Sequence, residues 1–192
     1  VLDVIVVQPA RSVKAQLDQE TISVGGTAQI NAAVTPDDAT LQGVTYESRK
    51  PEVATVDENG VVTGVSRGSA AIRVKSEDGY AQTSVTVQVR QPAEEIQLEL
   101  SKSTLPENKT ASVKATVLPK NTNNKKLTWT SSDESIATVN QDGRVKGLRP
   151  GTVTITAASA EVPEVTGSIE VQVVRLAKSV AFAQKEYGVI LG

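Results

Sequence analysis

The chain has 192 residues, a formal net charge of −2, and no cysteine, histidine or methionine. Acidic and basic residues are interspersed, so the sequence offers no basic surface for the phosphates of nucleic acid or for an anionic membrane. The missing residue types exclude a disulfide framework, a thiolate or imidazole metal site, and any nucleophile that depends on a histidine base. Since no apolar run approaches the roughly 20 residues of a membrane helix, we expect neither nucleic-acid binding nor membrane insertion.

Two stretches of the sequence are nearly the same: ESRKPEVATVDENGVVTGV at residues 47–65 and TSSDESIATVNQDGRVKGL at residues 130–148. Apolar residues and glycines match at a constant step of 83 residues, as Val53 matches Ile136. The second copy gains one extra residue within ASAEVPEVTGS, at residues 158–168, where we expect a loop. A constant step indicates a true repeat, and each of the two copies is long enough to close its own core.

Apolar and polar residues alternate within each copy, which is typical of strands that are buried on one face. In TASVKATV, at residues 110–117, alanine and valine occupy every second position and are predicted to face the core. Glycine and proline interrupt these runs, and no stretch keeps the 3.6-residue period of a helix. We therefore predict an all-β chain of two tandem immunoglobulin-like β-sandwiches, each with about seven short strands.

Turn signals separate the predicted strands. Asn-Gly at residues 59–60 and Asp-Gly at residues 142–143 predict tight hairpins in which both turn residues adopt positive φ. Pro-Gly at residues 150–151 predicts a turn whose glycine tolerates positive φ. The turn glycines that recur between the copies are Gly60, Gly68, Gly143 and Gly151.

One aromatic position recurs, with Tyr46 in the first copy and Trp129 in the second. An aromatic residue on a central strand of such a sandwich is predicted to fill the core against the facing sheet. A platform for stacking on carbohydrate is the alternative. The predicted structural core consists of the following recurring residues: Tyr46, Val53, Ile72, Trp129, Ile136 and Ile155.

These motifs resemble a known family. The run LTWTSSDESIATVNQDGRVKGLRPGTVTITA, at residues 127–157, is similar to the signature half of the bacterial immunoglobulin-like domain group 2, or BIG2. VTYESRKPEVATVDENGVVTGVSRGSAAIRV, at residues 44–74, is a second example that departs from the pattern at Tyr46, at residues 49–51 and at Arg67. The resemblance implies extracellular tandem modules of bacterial surface proteins, adhesins, surface-layer proteins, secreted enzymes and phage particles. It implies no catalysis.

Three similar segments mark the junctions between repeats, namely VVQPARSV at 6–13, VRQPAEEI at 89–96 and VVRLAKSV at 173–180. We interpret the chain as part of a longer array with short junctions that favour an extended rod. The predicted units are the last strand of a preceding repeat at 1–8, two Ig-like (BIG2) repeats at 9–91 and 92–175, and the first strand of a following repeat at 176–192.

Chemical sites are not predicted with the same support, because the acidic residues do not recur as acids. Asp57, for example, aligns with Asn140. A glycosidase would need a pair of carboxylates across a cleft, so we predict no enzyme and no catalytic residue. Calcium is the one candidate ligand, and Asp133 and Glu134 are the first candidates to bind it. A structural role in the turn is the favoured interpretation, since Asp and Asn in turns bond to their own backbone.

The sequence therefore predicts a non-catalytic structural or adhesion module that acts as a rod-like stalk or spacer at a bacterial cell surface or in a secreted protein. Its expected partners are neighbouring repeats of the same or an identical chain. Two alternatives stay open. One is a self-assembling surface-layer or fibre subunit, and the other is an adhesin that binds host protein or glycan through exposed loops at residues 121–126 or 77–80.

Overall fold

The structure is a computed structural model that describes residues 7–177. This part of the chain contains sixteen β-strands and no helix, so it also contains no helix that could cross a membrane. The strands form four sheets of four strands each. The prediction of an all-β chain with tandem immunoglobulin-like sandwiches is confirmed. The end strands predicted at 1–8 and 176–192 fall almost wholly outside the described residues.

The first repeat has eight strands, which is one more than predicted. They are β1 (Ser12–Leu17), β2 (Thr21–Ser23), β3 (Thr27–Thr35), β4 (Val44–Ser48), β5 (Ala54–Val56), β6 (Val61–Gly64), β7 (Gly68–Ser76) and β8 (Gln82–Arg90). One sheet has the order β1-β3-β6-β5 and the other β2-β8-β7-β4. The pairs are antiparallel except β2 with β8, which is parallel.

The second repeat has the same eight strands in the same topology. They are β9 (Glu95–Leu100), β10 (Thr104–Pro106), β11 (Thr110–Leu118), β12 (Leu127–Ser131), β13 (Ala137–Val139), β14 (Arg144–Gly147), β15 (Gly151–Ser159) and β16 (Thr166–Val174). The sheet orders are β13-β14-β11-β9 and β10-β16-β15-β12. The extra residue of the second repeat lies in the loop between β15 and β16, at residues 160–165, as the sequence predicted.

Contacts divide the described chain into two compact units. The first contains the residues up to Glu94 together with Val117–Lys125, and the second contains Glu95–Thr116 and the residues from Lys126 onward. The segment Val117–Lys125, which is the end of β11 and the loop after it, belongs to the first unit and is hydrogen-bonded to residues 91–94. For example, the Leu118 carbonyl oxygen accepts the Glu94 N–H at 2.8 Å.

Each sandwich encloses its own aliphatic core. On β15 the side chains of Val153, Ile155 and Ala157 are no more than 2% exposed, while the threonines between them lie outside. On β7 of the first repeat, Ile72 and Val74 are completely buried. Because successive side chains of a strand point to opposite faces, every sheet buries one face and leaves the other to solvent.

The turn between β5 and β6 differs from the predicted two-residue hairpin. It has four residues, 57–60, and the Gly60 N–H donates to the Asp57 carbonyl oxygen at 3.1 Å. Only Gly60 has positive φ (78°), so the prediction of positive φ at Asn59 is wrong. The reason is local, because the Asp57 carboxylate accepts the N–H groups of residues 59 and 61 and so favours a type I turn followed by glycine.

The matching turn between β13 and β14 is built in the same way. Gly143 has a φ of 72° and Asp142 does not have positive φ, so this part of the hairpin prediction is also wrong. The Gly143 N–H donates to the Asn140 carbonyl oxygen at 3.1 Å. The side chain of Asn140 accepts two N–H groups, as that of Asp57 does in the first repeat.

Candidate functional site

Residues 7–177 contain no group of three or more acidic side chains that could hold a metal ion. The calcium candidates Asp133 and Glu134 lie together in the exposed turn between β12 and β13. The Asp133 Oδ1 accepts the Ser135 N–H at 2.8 Å. Hydrogen bonds from the Ser135 hydroxyl and then from its main-chain N–H hold the pKa of Asp133 below its ordinary value. In this structure the Asp133 carboxylate therefore accepts a hydrogen bond from the main chain of its own turn.

The corresponding turn of the first repeat shows what the acids contribute. There Lys50 and Pro51 stand at the positions of Asp133 and Glu134. In both repeats one carbonyl oxygen accepts two N–H groups. The Lys50 carbonyl oxygen accepts those of Val53 and Ala54 (2.9 and 3.0 Å). The Asp133 carbonyl oxygen accepts those of Ile136 and Ala137 (both 3.1 Å). Because the same turn closes around a lysine, its shape does not depend on a carboxylate or on a cation bound to it.

The recurring aromatic residues each cover a turn glycine. Trp129 on β12 is 9% exposed, and a Cβ atom at Gly143 would lie 2.9 Å from its Cζ2. Tyr46 on β4 is half-buried, and a Cβ atom at Gly60 would lie 2.8 Å from its Cζ. A ring that is packed on a turn as closely as Trp129 has no free face on which to stack a sugar.

A second recurring contact joins an aliphatic residue to the glycine that begins a long strand. A Cβ atom at Gly68 would lie 3.0 Å from Val53 Cγ2, and one at Gly151 would lie 2.9 Å from Ile136 Cδ1. Val53 is 9% exposed and Ile136 is half-buried. Of the six residues predicted as core, Val53, Ile72, Trp129 and Ile155 are buried, and Tyr46 and Ile136 lie at the edge of the core.

The segment that leads into each repeat is hydrogen-bonded to a loop. The Gln8 N–H donates to Thr40 Oγ1 at 2.8 Å, and the Thr40 N–H donates to the Gln8 carbonyl oxygen at 2.9 Å. The Gln91 N–H donates to Asn123 Oδ1 at 2.6 Å, and the Asn123 N–H donates to the Gln91 carbonyl oxygen at 2.9 Å. We call these two pairs, Gln8–Thr40 and Gln91–Asn123, the linker clamps. Each clamp satisfies both main-chain polar groups of the linker residue.

Sequence reasoning missed the linker clamps. Residues 121–126 were expected to be an exposed binding loop in the adhesin alternative, yet Thr122 is 3% exposed and donates its hydroxyl to the Gln91 carbonyl oxygen at 3.0 Å. The available signal was that Thr40 and Asn123, one step of 83 residues apart, both carry a side-chain acceptor. A comparison that looked only for identical residue types could not find it.

Other polar positions recur in role, in one case with a different residue type and in the other with the same type. The Asp18 carboxylate accepts the Gln29 N–H at 2.8 Å, and at the matching place the Ser101 hydroxyl accepts the Ser112 N–H at 3.2 Å. The Ser48 and Ser131 hydroxyls donate to carbonyl oxygens 2.6 and 2.7 Å away on the edge strands β5 and β13. The polar residues between the core positions therefore include a set that satisfies main-chain groups.

The hairpin between β7 and β8 presents the most exposed aromatic ring among the described residues. Tyr80 is 78% exposed. Its N–H donates to Asp78 Oδ1 at 3.1 Å, the Ser76 hydroxyl donates to the same oxygen at 2.6 Å, and the Ala10 N–H donates to Asp78 Oδ2 at 2.7 Å. The bond from Ala10 is the main cause that lowers the pKa of Asp78. The ring therefore projects from a well-bonded turn.

Comparison with known proteins agrees with this architecture. The family model described as bacterial Ig-like domain (group 2) matches residues 9–87 and 92–169. An uncharacterised protein of Clostridium acetobutylicum is 32% identical over 168 residues, which cover 87% of this chain and 17% of that protein. An Ig-like virion protein of Serratia phage KSP90 is 32% identical over 159 residues, which cover 80% of this chain and 61% of that protein.

Among solved structures, EC1-4 of Drosophila N-cadherin matches with a TM-score of 0.50 at 11% sequence identity. The match covers 88% of this chain and 50% of the cadherin chain. At this identity the likeness concerns the fold alone. In each of these three comparisons the chain corresponds to less than two thirds of the other protein.

Proposed function

Because this chain belongs to the bacterial Ig-like domain (group 2) family, whose model covers both repeats, we propose that it acts as a spacer in a bacterial cell-surface or secreted protein. The Ig-like domain of this family is non-catalytic, and its general role is that of a structural or adhesion module. The finer statement, that the module sets a distance between other parts of a longer protein, is our proposal.

The linker clamp at Gln91 is the observation that supports the proposal most directly. The carbonyl oxygen of Arg90, the last residue of β8, accepts the Val24 N–H at 2.9 Å. The next residue, Gln91, is held by Asn123 at both its N–H and its carbonyl oxygen. The residue after that is Pro92, which fixes φ. Bonded main-chain groups and a proline leave this segment little of the conformational freedom of a flexible linker. A spacer requires such a restricted linker.

The separate cores give the second support. Each sandwich buries its own aliphatic residues, among them Ile30, Ile72 and Val87 in the first repeat and Leu105, Ile155 and Val171 in the second. A module that closes its own core needs no neighbour for stability and can be added to an array without redesign. Length then grows with the number of repeats.

Small-angle X-ray scattering on the whole chain tests the spacer role. We expect a narrow distribution of interatomic distances, which does not change with salt. A flexible Gly-Ser segment inserted after Gln91 should broaden the distance distribution, and Asn123→Ala should broaden it to a smaller extent. Lys120→Ala, an exposed position in the same loop, is the matched control and should leave it unchanged. A wild-type distribution as broad as that of the Gly-Ser variant would refute the proposal.

A second candidate role is direct binding of host protein or surface glycan through the β7–β8 hairpin. The observation that favours it is the exposure of Tyr80 on a turn that is already ordered. The matching hairpin of the second repeat offers exposed Pro163 and Glu164 instead. Binding of wild type but not Tyr80→Ala on an array of glycans and host matrix proteins would support this role, and equal signals from both would eliminate it. The surface-layer or fibre alternative depends on end strands outside the described residues.

A further inference from the structure

The turn between β5 and β6 contains the one Asn-Gly pair of the 192-residue sequence, at Asn59 and Gly60. Asn59 is exposed, and its side-chain amide has no hydrogen-bond partner among residues 7–177. Gly60 has no side chain to hinder the approach of its nitrogen to the Asn59 side chain. We propose that Asn59 is a site of spontaneous deamidation in this protein and that the folded turn restrains the reaction. The inference is independent of the spacer role.

The reaction needs only water and base. Once base removes its proton, the Gly60 main-chain nitrogen attacks Cγ of Asn59. The new N–Cγ bond closes a five-membered succinimide, the Cγ–Nδ2 bond breaks, and the amide nitrogen takes up a proton and leaves as ammonia. Water then adds to one of the two ring carbonyls and opens the ring. Opening on one side gives aspartate, and opening on the other gives isoaspartate, in which the main chain runs through the former side chain. Either product carries one more negative charge.

Hydrogen bonds and one ring contact hold the main chain around the reacting nitrogen. The Gly60 N–H donates to the Asp57 carbonyl oxygen at 3.1 Å, and the Gly60 carbonyl oxygen accepts the Ile30 N–H at 2.9 Å. The Asn59 N–H donates to Asp57 Oδ1 at 2.9 Å. The ring of Tyr46 lies over Gly60, where even a Cβ atom would have no room. Rotation of the Gly60 nitrogen toward Asn59 Cγ must break these contacts, so we infer that the reaction proceeds from a locally opened state.

The second repeat indicates which product the fold accepts. Asp142 stands at the place of Asn59, and its N–H donates to Asn140 Oδ1 at 3.1 Å, in the same way as that of Asn59 to Asp57. The aspartyl product of Asn59 therefore fits the turn. The isoaspartyl product adds one carbon to the main chain between residues 57 and 61, so it displaces the N–H groups that Asp57 accepts. We expect only the second product to loosen the first repeat.

Peptide mapping by mass spectrometry tests the inference on the whole chain. The protein is kept in mildly alkaline buffer, folded or unfolded in urea, and each asparagine is followed for a gain of about 1 Da. In urea, Asn59 should be the first asparagine to react. In the folded protein its rate should be lower by about tenfold or more. Asn59→Gln, which must form a less favourable six-membered ring, should show no gain at this position.

A matched variant separates the turn from its surroundings. Asp142→Asn creates a second Asn-Gly pair in a turn that is covered by Trp129, and it should react quickly in urea and slowly when folded. Equal rates for Asn59 in the folded and unfolded chain would overturn the restraint. Faster reaction of another asparagine in urea would overturn the assignment of the site. Persistence of both Asn-Gly pairs in urea would overturn the inference as a whole.

Discussion

The two repeats share one backbone and secure it with different residues. Trp129 covers its turn glycine with a buried indole, whereas Tyr46 covers the matching glycine with a half-buried ring. Burial is the main cause that raises the pKa of the Tyr46 hydroxyl, with a further contribution from the charge of Asp57. The difference teaches that the fold requires a flat apolar surface over the turn. The size and polarity of the side chain that provides this surface can vary.

The outer faces of the sheets differ even more. Glu47 on β4 and Arg73 on β7 are register partners and form an ion pair. The matching register partners on β12 and β15 are Thr130 and Thr156. Exposed ion pairs contribute at most about 1 kcal/mol, so two threonines can replace such a pair at little cost in stability. The contacts between the aromatic residues and the turn glycines are kept between the repeats, whereas this ion pair on the outer face is not.

The largest expected effect concerns the aromatic position. Trp129→Ala should destabilise the second repeat by about 3–5 kcal/mol, because it leaves a cavity over Gly143. Tyr46→Ala should cost the first repeat about half of that, since a half-buried ring removes less surface from water. Hydrogen exchange with peptide resolution, measured in increasing denaturant, assigns each loss to its repeat. Tyr80→Ala is the exposed control and should change neither. Equal losses at the two positions would contradict the comparison.

The linker clamps give the next largest effect. Asn123→Ala removes the acceptor of the Gln91 N–H in a segment where Gln91 is 8% exposed, so we expect a loss of about 1–1.5 kcal/mol. Thr40→Ala should cost less, since the bond that it removes is exposed. The sharper test is the exchange of types, Asn123→Thr and Thr40→Asn. If the clamp requires only a side-chain acceptor at this position, both exchanged variants should keep most of the stability that the alanine variants lose. Denaturant unfolding measures all four.

Much of the fold followed from the sequence because one physical pattern repeats many times. Alternation of apolar and polar residues along β11 and β15 fixed which face is buried. The structure has one strand more per repeat than predicted, and strands of three residues, such as β2 and β10, are too short to show an alternation. The turn type was missed because the side chains of Asp57 and Asn140 compete for the main-chain N–H groups.

The linker clamps could not be predicted for a different reason. Gln8 and Thr40 are 32 residues apart, as are Gln91 and Asn123, so no local pattern joins them. The second clamp also uses a different residue type from the first. For the acidic turn at Asp133 and Glu134, the sequence favoured a structural role over calcium binding. The coordinates add the partner, since Asp133 accepts the Ser135 N–H.

A smaller effect is expected from the acceptors in the β5–β6 and β13–β14 turns. Asp57 Oδ1 accepts two N–H groups at 2.9 and 2.8 Å, and Asn140 Oδ1 accepts two at 3.1 and 2.9 Å. Because the turns are exposed, water replaces part of what is lost, and Asp57→Ala or Asn140→Ala should cost about 0.5–1 kcal/mol. Asp57→Asn should be close to neutral, as its counterpart suggests. A loss with Asp57→Asn as large as with Asp57→Ala would show that charge, rather than the acceptor, matters there.

The smallest effect is a dependence on pH that only the second repeat should show at its β12–β13 turn. The folded-state pKa of Asp133 lies below its ordinary value of 3.8. A carboxylate with a lowered pKa contributes stability that is complete above the unfolded-state pKa and is lost as the pH falls through the folded-state value. Asp133→Asn has no such titration, so the difference in stability between wild type and variant should shrink as the solution is acidified from pH 5 to about pH 2.

Tryptophan fluorescence makes this measurement specific, because Trp129 is the one tryptophan of the chain and lies in the second repeat. A difference that stays constant over this pH range would show that Asp133 does not titrate with folding. Lys50→Asp offers the reverse experiment in the first repeat. It supplies the carboxylate but not the serine hydroxyl, because Glu52 occupies the position that Ser135 has in the second repeat. The bond from the Ser135 hydroxyl is the largest cause of the lowered pKa of Asp133. Lys50→Asp should therefore produce a weaker pH dependence than Asp133 does, and Lys50→Asp combined with Glu52→Ser should approach it.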